Sequence, residues 1–178
     1  MKPVWKILFL TFISAIVISC VTKKDVESGY FVYITDTQKF YLLDPSDFEE
    51  EMNRFQSITG RFQDRVHNFG AFIRSDESQV SISFFNQIGG NVGELEYTGK
   101  TLVANSKFFP ASTKFEYMMA DFELCYCKID SLRMALADCG LKFECISDEN
   151  REVRRILDGD ALIIEIEKES GKTRLRNL

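Results

Sequence analysis

The chain has one histidine, one tryptophan and three prolines in 178 residues. Its longest apolar run, Ile7 to Ile18, stops well short of the roughly 20 residues that a membrane-crossing helix needs. Positive charge is also short, with 22 Lys and Arg against 27 Asp and Glu. Each shortage excludes something. The lone His67 lies in a strand pattern with no nucleophile motif near it, and a catalytic base must be held by a third group. It reads as an ordinary surface or rim residue, and the chain is not expected to be an enzyme. No Gly-rich loop opens a helix, so no phosphate cradle is present; Gly89-Gly90 reads as a turn. Asp44, Asp47 and Glu49-Glu50-Glu51 read as a solvated acidic face rather than paired catalytic carboxylates. An acidic chain is a poor partner for nucleic acid, which rewards clustered Lys and Arg. Four cysteines follow Cys20, but Cys125-x-Cys127, eleven residues, then Cys139-x5-Cys145 matches no standard zinc spacing. No metal and no cofactor are expected.

The chain begins like an export signal. Lys2 and Lys6 precede the apolar run ILFLTFISAIVI, broken only by Thr11 and Ser14, and its length suits the apolar core of a signal peptide. Val17-Ile18-Ser19-Cys20 resembles the bacterial lipobox. The resemblance implies that the signal is removed before Cys20 and that Cys20 is lipidated, anchoring the chain to a membrane of the bacterial envelope. The expected organisation is a signal peptide at 1–19, a lipidated tether at 20–30 and one domain at 31–178. Losing Lys2 and Lys6 takes the net charge from −5 to −7. What remains is long enough to bury a core of its own.

From Gly29 the pattern is β. Phe40 to Leu43 is a short apolar run ended by the turn signal Asp44-Pro45-Ser46. Phe48 to Phe55 fits a helical turn or a polar strand. Gln56 to Thr59 reads as a strand turning at Gly60, and Arg65 to Ser75 as another strand. Val80 to Phe84 alternates apolar residues with Ser, the mark of a half-buried strand. Asn86 to Asn91 makes a turn, and Glu94 to Tyr97 and Thr101 to Ala104 follow. The spacing predicts an antiparallel meander. The period then changes. Phe115, Met118, Met119 and Phe122 fall on one helical face. A second helix is expected, capped by Asp130, striped by Leu132, Ala135 and Leu136, and ended by Gly140. A hairpin follows, from Glu152 to Asp158 and from Ala161 to Glu167, with a last strand barely begun at Leu178. About nine strands in a single sheet curl strongly, and the helical pair is the cover available for the apolar face.

The stretches FYLLDPSDF, SITGRFQDRVHNFGAFIRSDESQVSISFFNQIGGNVGELEYTG and MMADFELCYCKIDSLRMALADCGLKFE resemble a family of bacterial outer-membrane lipoproteins of unknown function with a LolA/LolB-like fold. Some members are encoded among aryl polyene pigment genes. The resemblance covers about residues 38 to 178 and rests on hydrophobic spacing and turn positions. It implies a mainly β fold with α, in which a half-open, curled antiparallel β-barrel is covered by two helices over a lipid cavity. LolA carries lipoproteins across the periplasm and LolB receives them. The family's final aromatic strand is not matched at Arg176-Asn177-Leu178.

That fold implies a ligand cavity lined by Phe72, Ile82, Phe84, Phe115, Met118, Met119 and Phe122. A Met and aromatic stripe at helical spacing is more often plain core. The expected function is binding a lipid, acyl chain or lipoprotein for transfer or retention at the outer membrane. The alternative is a non-catalytic scaffold with a filled core that holds an envelope protein. In LolB the tip matching Asn86-Gln87-Ile88-Gly89 resembles N-P-L-G, and its protruding leucine is implicated in handing lipoprotein to the membrane. Ile88 is therefore the candidate membrane-contacting residue, with folding back onto the rim as the alternative. For Cys125, Cys127, Cys139 and Cys145, an exported protein favours disulfides, one of the first two pairing with one of the last two. The competing reading makes them small buried hydrophobes.

Overall fold

The computed structural model describes residues 29–62, 65–106, 109 and 112–178. Cys20, the segment 1–19 and most of the tether lie outside the described residues. Among the described residues a two-stranded ribbon comes first, β1 at Phe31–Tyr33 and β2 at Lys39–Tyr41. A 3-10 turn at Pro45–Asp47 follows, where the Asp44 carboxylate accepts the Ser46 N–H at 3.1 Å. Then come β3 (Met52–Phe62), β4 (Arg65–Ser75), β5 (Val80–Phe85), β6 (Asn91–Tyr97) and β7 (Leu102–Ser106), an antiparallel meander in sequence order. Helices α1 (Phe115–Tyr126) and α2 (Ile129–Asp138) separate it from β8 (Lys142–Ser147), β9 (Arg151–Asp158), β10 (Ala161–Glu169) and β11 (Lys172–Asn177). These four strands form a second sheet in the order β11-β10-β9-β8.

The molecule is thus mainly β with two helices. Its described strands make sheets of five, four and two, not one sheet of about nine, and they do not close into a barrel. Near the end of α1 four consecutive residues, Phe122 to Cys125, are all buried. Consecutive positions on a helix point in all directions, so this turn is covered on every side.

Local signals gave way in three places. Gly60 does not turn the chain; β3 runs through it, with Gly60 opposite His67, because the ladder to β4 continues. Asp130 is not the cap of α2. The N-cap position is Lys128, fixed from outside the helix when its N–H donates to Asp47 O at 2.8 Å and its ammonium to Ser46 O at 2.8 Å. Asp130 lies in the first turn and pairs with Arg133 at 2.6 Å. The last strand is already well formed before Leu178, since all six residues of β11 pair with β10. Gly140 does end α2 with a left-handed φ of 81°, which a side chain would resist.

The core is one cluster. From the first sheet it takes Met52, Ala71, Ile73, Val80, Ile82, Phe84, Leu95 and Tyr97. From the helices come Met119, Leu124, Leu132 and Leu136, and from the second sheet Phe143, Ile156, Ile164 and Ile166. Strand parity puts the strand residues among these on one face of each sheet.

Candidate functional site

The structure brings most of the expected ligand-binding residues together. Ile82 and Phe84 stand on the inner face of β5, where Ile82 pairs across the ladder with Ile73 and Phe84 with Ala71. Met119 and Phe122 on α1 belong to the same core cluster, and all four are buried, with exposures of 0 to 8%. Phe115 and Met118 are half-buried on the first turn of α1. An aromatic seam joins the elements. Phe84 packs edge-on against Phe109 at 5.3 Å and Phe69 at 6.1 Å, and Phe109 packs against Phe115 at 5.9 Å. Edge-to-face contacts of this kind add to simple burial.

Phe72 is the exception. It pairs with Ser83 and Phe55, both on the outer face, because residue 72 has the opposite parity to Ala71 and Ile73. There it is half-buried beside the Arg74 guanidinium. Near the end of β4 apolar residues fall on both parities, so the sequence did not choose between the faces.

Ile88 is 92% exposed. It stands on a turn that is held from beneath. The Asn86 side-chain carbonyl accepts the N–H of Ile88 at 3.1 Å and of Gly90 at 2.8 Å. The Asn86 backbone closes the turn with Gly89 and Gly90, and Gly89 has a φ of 81°. This tip is an apolar side chain on a pre-set loop, not one folded back onto a rim.

The four downstream cysteines are free thiols, and the disulfide expected between their two halves is not formed. Cys125 and Cys127 are sealed in the core around the end of α1. Burial pushes the Cys125 thiol up to about 12, and raises Cys127 by the same cause, with Glu123 adding to it. Cys139 donates to Ala135 O at 3.1 Å on α2 itself. Among the described residues no group of His, Cys, Asp and Glu is arranged to hold a metal. His67 stacks on Phe69 at 6.5 Å.

Four features escaped the sequence reading. Arg154 on β9 is completely buried. Its guanidinium donates to Leu124 O at 3.2 Å, Cys127 O at 2.8 Å, Glu152 at 2.8 Å and Glu49. It therefore satisfies carbonyls at the end of α1 that a helix leaves over. The parity shared with Ile156 was the available signal. Above it a surface groove of about 620 Å³ runs past Arg54, Tyr126, Glu152 and Lys168. Glu123, wholly buried, accepts the Leu43 N–H at 3.0 Å, and burial raises its carboxyl well above the usual range. Asp121, one turn before Cys125, keeps access to solvent although protein crowds it, and that desolvation raises it to about 6. No helix among the described residues is long and apolar enough to cross a membrane.

The family model described as "Protein of unknown function (DUF3261)" matches residues 53–178. This is well over half of the chain, so the chain belongs to that family. No curated protein and no solved structure matches it.

Proposed function

We propose that this DUF3261 protein is a lipid-anchored lipoprotein of the bacterial outer membrane, facing the periplasm. It binds an apolar ligand, a lipid, acyl chain or lipoprotein, for transfer or retention there. What supports a LolA/LolB-like reading is an antiparallel meander and two helices that share one core. The observation that carries the reading is Ile88, 92% exposed on a turn fixed by Asn86. An isolated apolar side chain costs little to expose, but a rigid pedestal beneath it suits a contact made again and again. The half-buried Phe115 and Met118 beside the aromatic seam mark where an acyl chain enters. Burial of apolar surface, about 25 cal/mol per Å², supplies the affinity without a charged anchor.

Lipid extraction and mass spectrometry of the purified protein test the ligand. Ile88→Glu tests the tip. Its melting curve should match the wild type, because the side chain has nothing to unpack from, while cargo delivery to liposomes stops. A variant that melts normally and still delivers at the wild-type rate removes Ile88 from the mechanism.

One observation favours a second reading, a non-catalytic scaffold that holds an envelope protein. Ile82, Phe84, Met119 and Phe122 are packed into the continuous core at 0 to 8% exposure. On that reading the extracted protein yields no ligand.

A further inference from the structure

The β1–β2 ribbon has an unusual outer face. Its inner face is ordinary, with Val32 and Phe40 paired across the ladder at 2% and 0% exposure. The other two rungs, Phe31 with Tyr41 and Tyr33 with Lys39, face outward. A ribbon face turned to water is normally polar, yet three of these four residues are aromatic. Tyr33 and Tyr41 are 44% and 45% exposed. Phe31 packs on both, at 5.6 and 5.7 Å. The Lys39 ammonium lies 4.5 Å from the Phe31 ring centre. The patch continues onto α1, where the Tyr117 hydroxyl accepts the Tyr33 N–H at 3.3 Å and Lys114 lies 5.5 Å from the Tyr117 ring.

We propose that Phe31, Tyr33, Tyr41 and Tyr117, with Lys39 and Lys114, form the surface by which the domain rests on an anionic lipid bilayer. Tyrosine has an apolar ring and a polar tip, and it collects at the boundary between acyl chains and headgroups. Lysines bury their stems there and keep their ammonium groups among the phosphates. Position on the chain selects the bilayer over a protein partner. Phe31 comes eleven residues after Cys20, a stretch spanning at most about 39 Å when fully extended. Any anchor at Cys20 keeps this ribbon beside the membrane. To that extent the inference rests on the anchor reading above. The surface is separate from Ile88. Tyr30 packs on Tyr97, at the end of β6 opposite the turn. Docking here leaves the Ile88 tip roughly 20 Å away along the strand, free to meet cargo.

The test uses the full chain reconstituted into vesicles of phosphatidylethanolamine with phosphatidylglycerol, beside the Cys20→Ser variant. Flotation reads the anchor, and hydroxyl-radical footprinting reads each exposed ring. In floated wild type, oxidation of Tyr33, Tyr41 and Tyr117 should fall about fivefold relative to exposed Phe55, as for rings withdrawn into the headgroup layer. High salt or wholly zwitterionic vesicles should weaken that protection by removing the lysine contribution. Floated protein whose three tyrosines oxidise as freely as Phe55 overturns the inference and leaves the anchor intact. Wild type that sinks overturns the anchor and the inference with it. Tyr33→Ser with Tyr41→Ser should float as well as wild type and leave Tyr117 unprotected. Undiminished protection of Tyr117 in that variant also overturns the inference.

Discussion

Replacing Arg154 with Met should be among the most damaging single changes in the molecule. The two side chains are similar in length, so the core volume is roughly kept and the loss is mainly polar. Glu49 and Glu152 lose a fully buried partner, although Lys168 still reaches them at 3.0 and 2.9 Å. Leu124 O and Cys127 O lose their donor, and no water replaces it if the site stays sealed. Breaking a buried ion pair costs about 3–5 kcal/mol, and each orphaned carbonyl adds about 1–3 kcal/mol. Lys168 and local relaxation recover part of that, so a net loss of about 4 kcal/mol is expected. That is a large share of the roughly 5–15 kcal/mol that holds a domain together, and lowers the melting temperature by roughly 8–16 °C. Arg155→Met, one residue on, is the control. Arg155 is 41% exposed and paired with Glu165 on the outer face, where such pairs contribute about 0–1 kcal/mol. Urea denaturation followed by circular dichroism measures both variants. If they lose similar stability, or if Arg154→Met loses less than about 1 kcal/mol, the reasoning fails.

Met119→Ala should cost about 2–5 kcal/mol, the range for truncating a sealed core side chain, read as a lower urea midpoint; an unchanged midpoint would mean that Met119 borders empty space. The folded Asp121 carboxyl holds its proton up to about 6, whereas an unfolded one loses it near 3.8. Its contribution is therefore full below about pH 4 and lost as pH rises through about 6. Asp121→Asn should accordingly melt with a shallower fall between pH 4 and 7 than the wild type, and parallel curves would refute this. Native alkylation should modify Cys139 and Cys145, which are half-buried, well before Cys125 and Cys127, whose buried thiols resist ionisation; mass spectrometry of the labelled peptides orders them.

Strand parity made the meander legible. Val80 to Phe84 alternates, and the structure buries Val80, Ile82 and Phe84 as that alternation requires. Gly140 was legible for the same kind of reason, since few residues other than glycine end a helix in the left-handed region. Phe72 was not, because a strand with apolar residues on both parities leaves the inner face undecided. β8 was missed altogether: KFECIS carries charge and cysteine among its apolar residues, and only its pairing with β9 makes it a strand. The division into separate sheets depends on which distant strands pair, and no local pattern encodes it. Arg154 belongs to the same class. Its partners lie 105, 30, 27 and 2 residues away, and only the last is visible to a short window.

The hairpin of β3 and β4 is longer than the sheet behind it. Its ladder runs from Met52 with Ser75 out to Phe62 with Arg65, but β5 joins only from Gly70 onward. Among the described residues, the outer five rungs, from Ile58 with Phe69 to Phe62 with Arg65, therefore have no third strand on the β4 side. A two-stranded ribbon is marginal in water on its own. Gly60 lies in the middle of this one and further loosens the backbone. Amide protons on the outer rungs should exchange with solvent far sooner than those between Met52 and Ser57. They should do so by a local opening that leaves the core shut. The overhang carries Phe69, a member of the aromatic seam. Each opening draws that ring away from Phe84 and Phe109, so loosening of the seam is timed by the fraying of five rungs rather than by unfolding of the domain.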